Sequence, residues 1–194
     1  KRALTLFVFW NFSNYSPISF IVSVENDIII IVKSKGWCID MKWTPQDIET
    51  YLNAKEYVDT AVVPLLAVSV GGEMKQSATG AEFITLLTGH LERQFTGRLL
   101  LLPPYTYLKS KNGENTISDL KDWEDSLTKG EFKHVFYITS EIEWRTREGE
   151  LSGTVIWLPS IPLEHMNDSQ KMAVVDSQVK QLLDLFTQKW HENE

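Results

Sequence analysis

The stretch AVVPLLAVSV, residues 61–70, decides the fold of this chain of 194 residues. It is a nearly continuous apolar run that ends at Gly71 and Gly72, and this pattern is typical of a strand buried on both faces of a parallel sheet. Because Pro64 has no backbone N–H to donate to a neighbouring strand, we expect the regular strand to cover residues 65–70 only. Such a strand needs helices on both of its faces.

The segments on either side of this strand have the patterns of helices. Thr44 is placed to cap a first helix, Pro45 suits its first position, and Asp47 falls in its first turn. This helix is predicted to run to about residue 57. Residues 79–82 (TGAE) form a capping box that opens a second helix, and Gly97 is placed to end it.

The rest of the chain continues this alternation. Strands are predicted at residues 99–102, 134–139 and 154–158, and helices from residue 116 to about 130 and from 169 to about 190. Loops are predicted at residues 103–107 and 109–115. Residues 141–147 leave two alternatives open, a strand that continues into a hairpin and a short helix.

This order of elements predicts the fold class. Helices that alternate with short, solidly apolar strands favour an α/β fold with a mainly parallel sheet covered on both faces. We therefore expect a three-layer, Rossmann-like or flavodoxin-like domain with about four core strands and right-handed crossovers.

Composition limits the classes of function. The net charge of −7 and pI of about 5.2 argue against nucleic-acid binding, which needs a basic surface. Cys38 is the single cysteine, so an internal disulfide and a CxxC site are excluded and nothing favours an oxidising compartment. The sequence has no HExxH, no phosphate-binding loop, no GxGxxG and no GxSxG. No two histidines have metal-ligand spacing, so we predict no metal, and with these motifs absent we predict no cofactor. Because nothing favours an oxidising compartment, we expect a cytoplasmic protein.

The first forty residues differ in composition from the rest. Residues 3–24 carry no charge, and residues 28–32 are a second apolar run. The polar stretch at residues 11–17 breaks the first run, whereas a membrane span needs about 20 predominantly apolar residues. An apolar anchor and an extra buried strand are therefore two alternatives for this segment, and neither fits its pattern well.

A third alternative is favoured, in which residues 1–40 are translated upstream sequence. The codons for residues 35–37 can form a purine-rich ribosome-binding sequence at a normal spacing before Met41, which precedes a clean domain start. We therefore expect residues 1–40 to be a non-native or disordered extension. Residues 41–194 are expected to form a single α/β domain without stable membrane insertion.

The strand-end loops hold the candidate ligand-binding residues, because ligands of such sheets bind outside the carboxyl ends of the strands. These candidates are Ser69, Gly71, Gly72, Tyr105, Ser140, Glu141 and His165. The two glycines would let a backbone approach a phosphate, although a flexible exit from a strand has the same pattern. The prediction is therefore a pocket at this edge of the sheet.

The same loops hold the parts of a nucleophile, a base and an orienting carboxylate. They are Ser140 or Ser160, His165, and Glu141 or Glu164. Neither serine lies in an elbow motif, and a histidine in such a loop is more typical of a surface or a cap than of a general base. Catalytic residues therefore stay unassigned.

Aromatic residues near these loops are candidates for contact with a protein partner. Trp144 stands alone in the charge-dense segment EIEWRTREGE, residues 141–150, and Tyr107 follows the second strand. Aromatic side chains are enriched at interfaces. We therefore expect Trp144 and Tyr107 to contact a partner whose identity the sequence does not give.

Three segments carry a resemblance to a known family. They are MKWTPQDI at residues 41–48, AVVPL at residues 61–65 and WLPSIPLEHM at residues 157–166. In them the chain resembles the YpiF-like family of uncharacterised Bacillus proteins, a domain of unknown function, over residues 41–194. The resemblance implies a small cytosolic protein with no assigned activity, encoded near the menaquinol:cytochrome c reductase, and it transfers no site residue.

Two functional hypotheses follow from the sequence. The first is a non-enzymatic accessory protein that binds a partner, with a possible link to that reductase. The second is a small-molecule or nucleotide-binding enzyme that uses the strand-end loops. A deep pocket lined by Gly71, Tyr105, Ser140 and His165 would favour the enzyme, whereas a flat apolar patch around Trp144 would favour the partner-binding protein.

Overall fold

The structure is a computed structural model that describes residues 21–24, 27–30, 41–109 and 114–192. The chain divides into two compact units, Lys1–Ile39 and Asp40–Glu194. In the first unit, β1 (Ile21–Val24) pairs antiparallel with β2 (Asp27–Ile30). The rest of residues 1–40, Cys38 included, lies outside the described residues, so the origin of this segment stays a prediction.

The second unit alternates helices and strands as the sequence predicts. Its elements are α1 (Pro45–Asn53), β3 (Thr60–Val68), α2 (Met74–Gln94), β4 (Leu99–Leu101), β5 (Tyr105–Leu108), α3 (Glu114–Lys129), β6 (His134–Thr139), α4 (Trp144–Arg147), β7 (Thr154–Trp157) and α5 (Asp168–Glu192). The N–H of Asp47 donates to the side chain of Thr44 at 3.2 Å, so Thr44 caps α1 as predicted.

The five strands of this unit form one parallel sheet with β3 at its centre. β6 pairs with one side of β3 and carries β7, while β4 and β5 pair with the other side. If β4 and β5 are counted as one interrupted edge strand, the strands lie in the order second, first, third, fourth along the chain. This is the flavodoxin-like order without its fifth strand, and it confirms the predicted α/β fold class.

Two separate cores hold the helices against the sheet, because successive strand residues point to opposite faces. Val62 and Phe136 pack under α2 and α5 on one face. Val63 and Tyr137, each next in sequence to one of them, pack under α1, α3 and α4 on the other. All four residues are almost completely buried, so the domain has the predicted three layers.

Pro64 does not shorten the central strand, so that prediction is wrong. Thr60 donates to Arg98 O and Val62 accepts from Leu102 N, both on the side of β4 and β5. Alternate residues of a parallel strand face the same neighbour, so the Pro64 nitrogen faces that side too. There the edge strand is interrupted between β4 and β5 at residues 102–104, and a ladder hydrogen bond is not needed.

Two further predictions change. α2 begins at Met74 rather than at Thr79, and the Thr79 hydroxyl donates to the carbonyl of Lys75 inside the helix instead of capping it. Residues 105–107, predicted as part of a loop, lie in strand β5 (Tyr105–Leu108), which pairs with β3. The ambiguous segment after β6 is resolved as the short helix α4, the second of the two alternatives.

The amino end of the sheet is closed by a polar network. Arg98 donates twice to Asp59, at 3.1 and 3.0 Å, and its guanidinium stacks 4.0 Å from the Trp190 ring centre. Trp190 Nε1 donates to the Thr60 hydroxyl at 2.8 Å, which in turn donates to Asp59. Burial alone would raise the pKa of Asp59, but the bonds from Arg98 and Thr60 outweigh it and lower that pKa.

Candidate functional site

The carboxyl ends of β3 and β6 are the candidate site, because the strand order reverses between them. Doubly wound sheets bind ligands in the crevice at such a switch point. β5 ends on the far side of β3, so the segments after three strands meet here. The crevice brings together Ser69, Glu141 and Lys109.

The first turns of α2 close one side of this crevice. The buried Ser77 hydroxyl accepts from the N–H of Ser69 at 3.1 Å and donates to the carbonyl of Ala67 at 2.7 Å. Gly80 lies so near β6 that a methyl group on it would meet the Ser140 Oγ at 2.5 Å. The side chain of Ser140 therefore faces the helix, which does not suit it for nucleophilic attack on a substrate.

Gly71 has φ of +131°, a conformation that glycine tolerates and other residues rarely adopt. It accepts from the N–H of Met74 at 3.1 Å and so makes the turn into α2. Gly72 lies exposed in the same turn. The backbone conformation of this turn therefore explains why residue 71 is glycine, without any role in phosphate binding.

An ion-pair bridge spans the crevice. The Lys109 ammonium lies 3.2 Å from Glu73 and 3.0 Å from Glu141, joining the ends of β5, α2 and β6. The hydrogen bond to Glu141 is the largest cause that raises the pKa of Lys109. The lysine therefore stays charged at neutral pH, and we call Glu73, Lys109 and Glu141 the charge bridge.

A row of aromatic rings lies beside the bridge. Trp144 Nε1 donates to the Tyr107 hydroxyl at 2.8 Å, and the Tyr105 hydroxyl donates to Asp119 at 2.7 Å. The rings of Tyr105 and Tyr107 stack, and Trp123 continues the row. Burial is the first cause that raises the pKa of both tyrosines to about 12, so both are neutral hydrogen-bond donors at physiological pH.

Trp144 is a buried residue rather than a surface for a partner. Its side chain is 4% exposed and packs edge-on against Tyr107, with ring centres 6.1 Å apart. A cavity of about 20 Å³ lined by Tyr107, Lys109, Trp144 and their neighbours adjoins it. That volume holds about one water molecule, whereas ligand pockets measure roughly 300–1,000 Å³.

His165 is not hydrogen-bonded to either candidate serine, Ser140 or Ser160, among the residues that the structure describes. It is exposed in the segment after β7. Its neighbour Glu164 pairs with Lys75 at 2.9 Å. The residues proposed as nucleophile, base and orienter are therefore not linked as a catalytic triad in this conformation.

Four exposed apolar side chains surround the charge bridge, and sequence reasoning missed them. They are Val70 at 78% exposure, Met74 at 52%, Leu108 at 68% and Ile142 at 53%. Each lies within three residues of a bridge residue along the chain, so we call them the apolar rim. The available signal was an apolar residue at or near the ends of β3, β5 and β6, where a polar loop residue is more usual.

A second apolar feature lies beside the gap between β4 and β5. A groove of about 480 Å³ is lined by Trp43, Leu102, Pro103, Trp123, Ser126 and Leu127. Trp43, which precedes α1, is 57% exposed there. Within the described ranges, three or more metal-ligating side chains nowhere come together, and none of the helices there is long and apolar enough to cross a membrane.

Comparisons with known proteins agree with the resemblance seen in the sequence. Residues 49–190 match a family described as protein of unknown function (DUF2487). The chain is 42% identical to the uncharacterized protein YpiF of Bacillus subtilis (strain 168) over 150 residues, which are 77% of this chain and 98% of that relative. No solved structure matches the chain.

Proposed function

The chain belongs to the DUF2487 family of proteins of unknown function, and on that premise we propose that it is a non-enzymatic protein-binding module. The proposed contact surface is the apolar rim together with the charge bridge. The single observation that carries this proposal is the exposure of Val70, Met74, Leu108 and Ile142 around one fixed set of charges.

The chemistry of this surface suits a protein partner. Isolated exposed apolar residues are ordinary, but several at one place, with polar groups among them, are typical of interaction sites. The bridge supplies two carboxylates and an ammonium that are already oriented by one another, so little side-chain entropy is lost when a partner binds. The partner expected here presents an apolar contact with complementary polar groups at its margin.

The competing hypothesis, a small-molecule or nucleotide-binding enzyme, has less support. Ser77 and Gly80 pack closely against the ends of β3 and β6, Lys109 pairs with Glu141 there, and the cavity beside them measures only about 20 Å³. The net charge of −7 also disfavours polyanionic ligands. The accessory role toward the menaquinol:cytochrome c reductase and the cytoplasmic location belong to the proposal as implications of the family resemblance.

Site-specific photo-crosslinking in the source cells tests this proposal. A photoreactive residue at Leu108 is expected to give a discrete cross-linked species that disappears when Met74→Ser and Ile142→Ser are added. The matched control is Leu52, which is 63% exposed on α1 and so resembles Leu108 in type and exposure. Equal cross-linking from both positions, or none from either, would count against the rim as a contact surface.

A thermal-shift screen against nucleotides and common metabolites tests the competing hypothesis. We expect no ligand to raise the melting temperature, because the cavity beside the charge bridge measures only about 20 Å³. Saturation at 100 times Kd would stabilise the protein by about 2.7 kcal/mol, which is readily measured. A stabilisation by one ligand that is abolished in Lys109→Ala would replace our proposal with a ligand-binding function.

A further inference from the structure

Strand β5 leaves its outer edge unpaired among the residues that the structure describes. The N–H of Lys109 donates to Val68 O at 2.8 Å, and alternate residues of a parallel strand face the same neighbour. The backbone groups of Tyr107 therefore face β3, whereas those of Thr106 and Leu108 face away from the sheet. Both of these outward residues are exposed. Their N–H and carbonyl groups are thus available to another extended chain.

The protein covers the neighbouring part of this edge with its own backbone. The N–H of Leu101 in β4 donates to Met41 O at 2.8 Å, and Lys42 pairs with Leu101 in parallel register. Beyond the interruption at residues 102–104, no described segment pairs with the outer side of β5. The same side of the sheet is therefore covered at β4 and open at β5.

The opposite edge of the sheet, β7, is better protected. All residues of β7 are buried or half-buried, and the Arg145 guanidinium lies 5.1 Å from the ring centre of Trp157. Edge strands are commonly protected by lysine or proline within the strand, or by a covering segment. The sequence of β5, YTYL, contains neither residue. Of the two edges, β5 is therefore the one suited to pairing with an added strand.

The groove of about 480 Å³ beside the start of β5 provides an anchoring site. Trp123 and Ser126 line it from α3. Asp119 precedes them by four and seven residues, which places all three on one side of the helix. The Asp119 carboxylate accepts from the Tyr105 hydroxyl at 2.7 Å, so an exposed negative charge lies next to the first residue of β5. An apolar and a basic side chain can therefore be bound beside the open edge.

We infer that β5 binds an extended segment of a partner protein as an added strand, with an apolar side chain in the groove and a basic side chain at Asp119. This inference rests on the proposed function, a protein-binding module, and names how the partner is held. Main-chain hydrogen bonds to Thr106 and Leu108 supply affinity in this mode, and side-chain pockets supply specificity. Leu108 also belongs to the apolar rim, so the added strand continues the proposed contact surface.

Thr106→Pro tests the main-chain contact. Because the Thr106 N–H faces away from β3, proline removes a donor from the open edge and none from the sheet. A photoreactive residue at Ser126 is expected to give a discrete cross-linked species in the source cells. Thr106→Pro should lower its yield about tenfold, whereas Thr106→Ala, the matched control that keeps the N–H, should retain it. An unchanged yield in Thr106→Pro would overturn the inference.

Asp119→Lys tests the charge of the bound segment, and it gives a result even if Thr106→Pro fails to fold. The Ser126 cross-link should be lost in Asp119→Lys. It should be kept in Asp125→Lys, because Asp125 is exposed on a different side of α3. Sequencing of the cross-linked segment should find Lys or Arg beside apolar residues. Equal yields in the two variants, or an acidic segment, would overturn the inference.

The cross-link from Leu108 separates this inference from the proposed function. A species from Leu108 without one from Ser126 would overturn strand addition and leave the rim as a contact surface. A species from Ser126 alone that Thr106→Pro removes would support strand addition and count against the rim. The absence of a species from both positions would overturn both.

Discussion

The two ends of the sheet differ in how they use their side chains. At the amino end, Asp59, Thr60, Arg98 and Trp190 bond to or stack on one another, and Trp190 is buried. At the carboxyl end, the charge bridge is surrounded by apolar side chains that face solvent. The difference teaches that one end holds the layers together while the other is available for contact.

The largest expected effect tests the amino end. Trp190→Ala should destabilise the domain by about 3–5 kcal/mol, since it leaves a cavity in the core and removes the stacking partner of Arg98. Chemical denaturation measures this change. Trp43→Ala is the matched control because Trp43 is 57% exposed, and an equal loss in both variants would contradict the assigned role of Trp190.

The next effect tests the closure of the crevice at the carboxyl end. Gly80→Ala places a methyl group 2.5 Å from the Ser140 Oγ, so the Ser140 side chain must rotate away; this loss, about 1 kcal/mol, opposes the roughly 1 kcal/mol that alanine gains over glycine inside a helix. Ser140→Ala should relieve most of that loss, which a double-mutant cycle of unfolding free energies measures. Additive effects in the double variant would show that α2 does not press on Ser140.

A smaller effect concerns the pH dependence of the amino end. The folded-state pKa of Asp59 is lowered, so its stabilisation is present above the ordinary value near 3.9 and is lost as pH falls through the lower folded-state value. Asp59→Asn should therefore cost about 1 kcal/mol at pH 7 and less in acid. Unfolding free energies at pH 7 and pH 3 check this. A difference between variant and parent that stays constant with pH would contradict it.

The smallest effect on stability is expected at the apolar rim. Leu108→Ser should change the unfolding free energy by no more than about 0.5 kcal/mol, as surface substitutions usually do. Leu52→Ser should behave alike, and only the rim variant should lose the partner cross-link. A loss of stability above 2 kcal/mol would mean that Leu108 packs in the core rather than on a surface.

Sequence patterns predicted the layers of this fold well and its site poorly. The apolar runs of β3, β6 and β7 and the 3/4 spacing of α5 depend on burial, which periodicity reports directly. The sequence did not predict β5, because this strand pairs with a distant part of the chain, β3, and alternate residues of Tyr105–Leu108 are exposed. The prediction for Pro64 was wrong because a missing backbone N–H weakens a strand only where a neighbouring strand would accept a hydrogen bond from it.

The sequence predicted at which edge of the sheet the candidate residues lie, but not which of their side chains face solvent. Ser69, Gly71, Ser140 and Glu141 do lie at the carboxyl edge, because the end of a strand fixes where a loop begins. Which of them face solvent depends on the helix above them. The approach of α2 through Gly80 turned Ser140 inward, and the bond to Tyr107 kept Trp144 inside. Such contacts join residues far apart in sequence and leave no local pattern.

The proline in the central strand links two positions that are distant in sequence. The Pro64 nitrogen faces the interruption formed by residues 102–104. Because the edge strand is broken there, the N–H that proline lacks is not needed for a ladder hydrogen bond. A variant with a regular edge strand there would present an acceptor to a residue that has no N–H. A variant that replaced Pro64 alone would gain an N–H directed at the interruption. The effects of changes at these two sites on the free energy of unfolding are therefore expected to be non-additive.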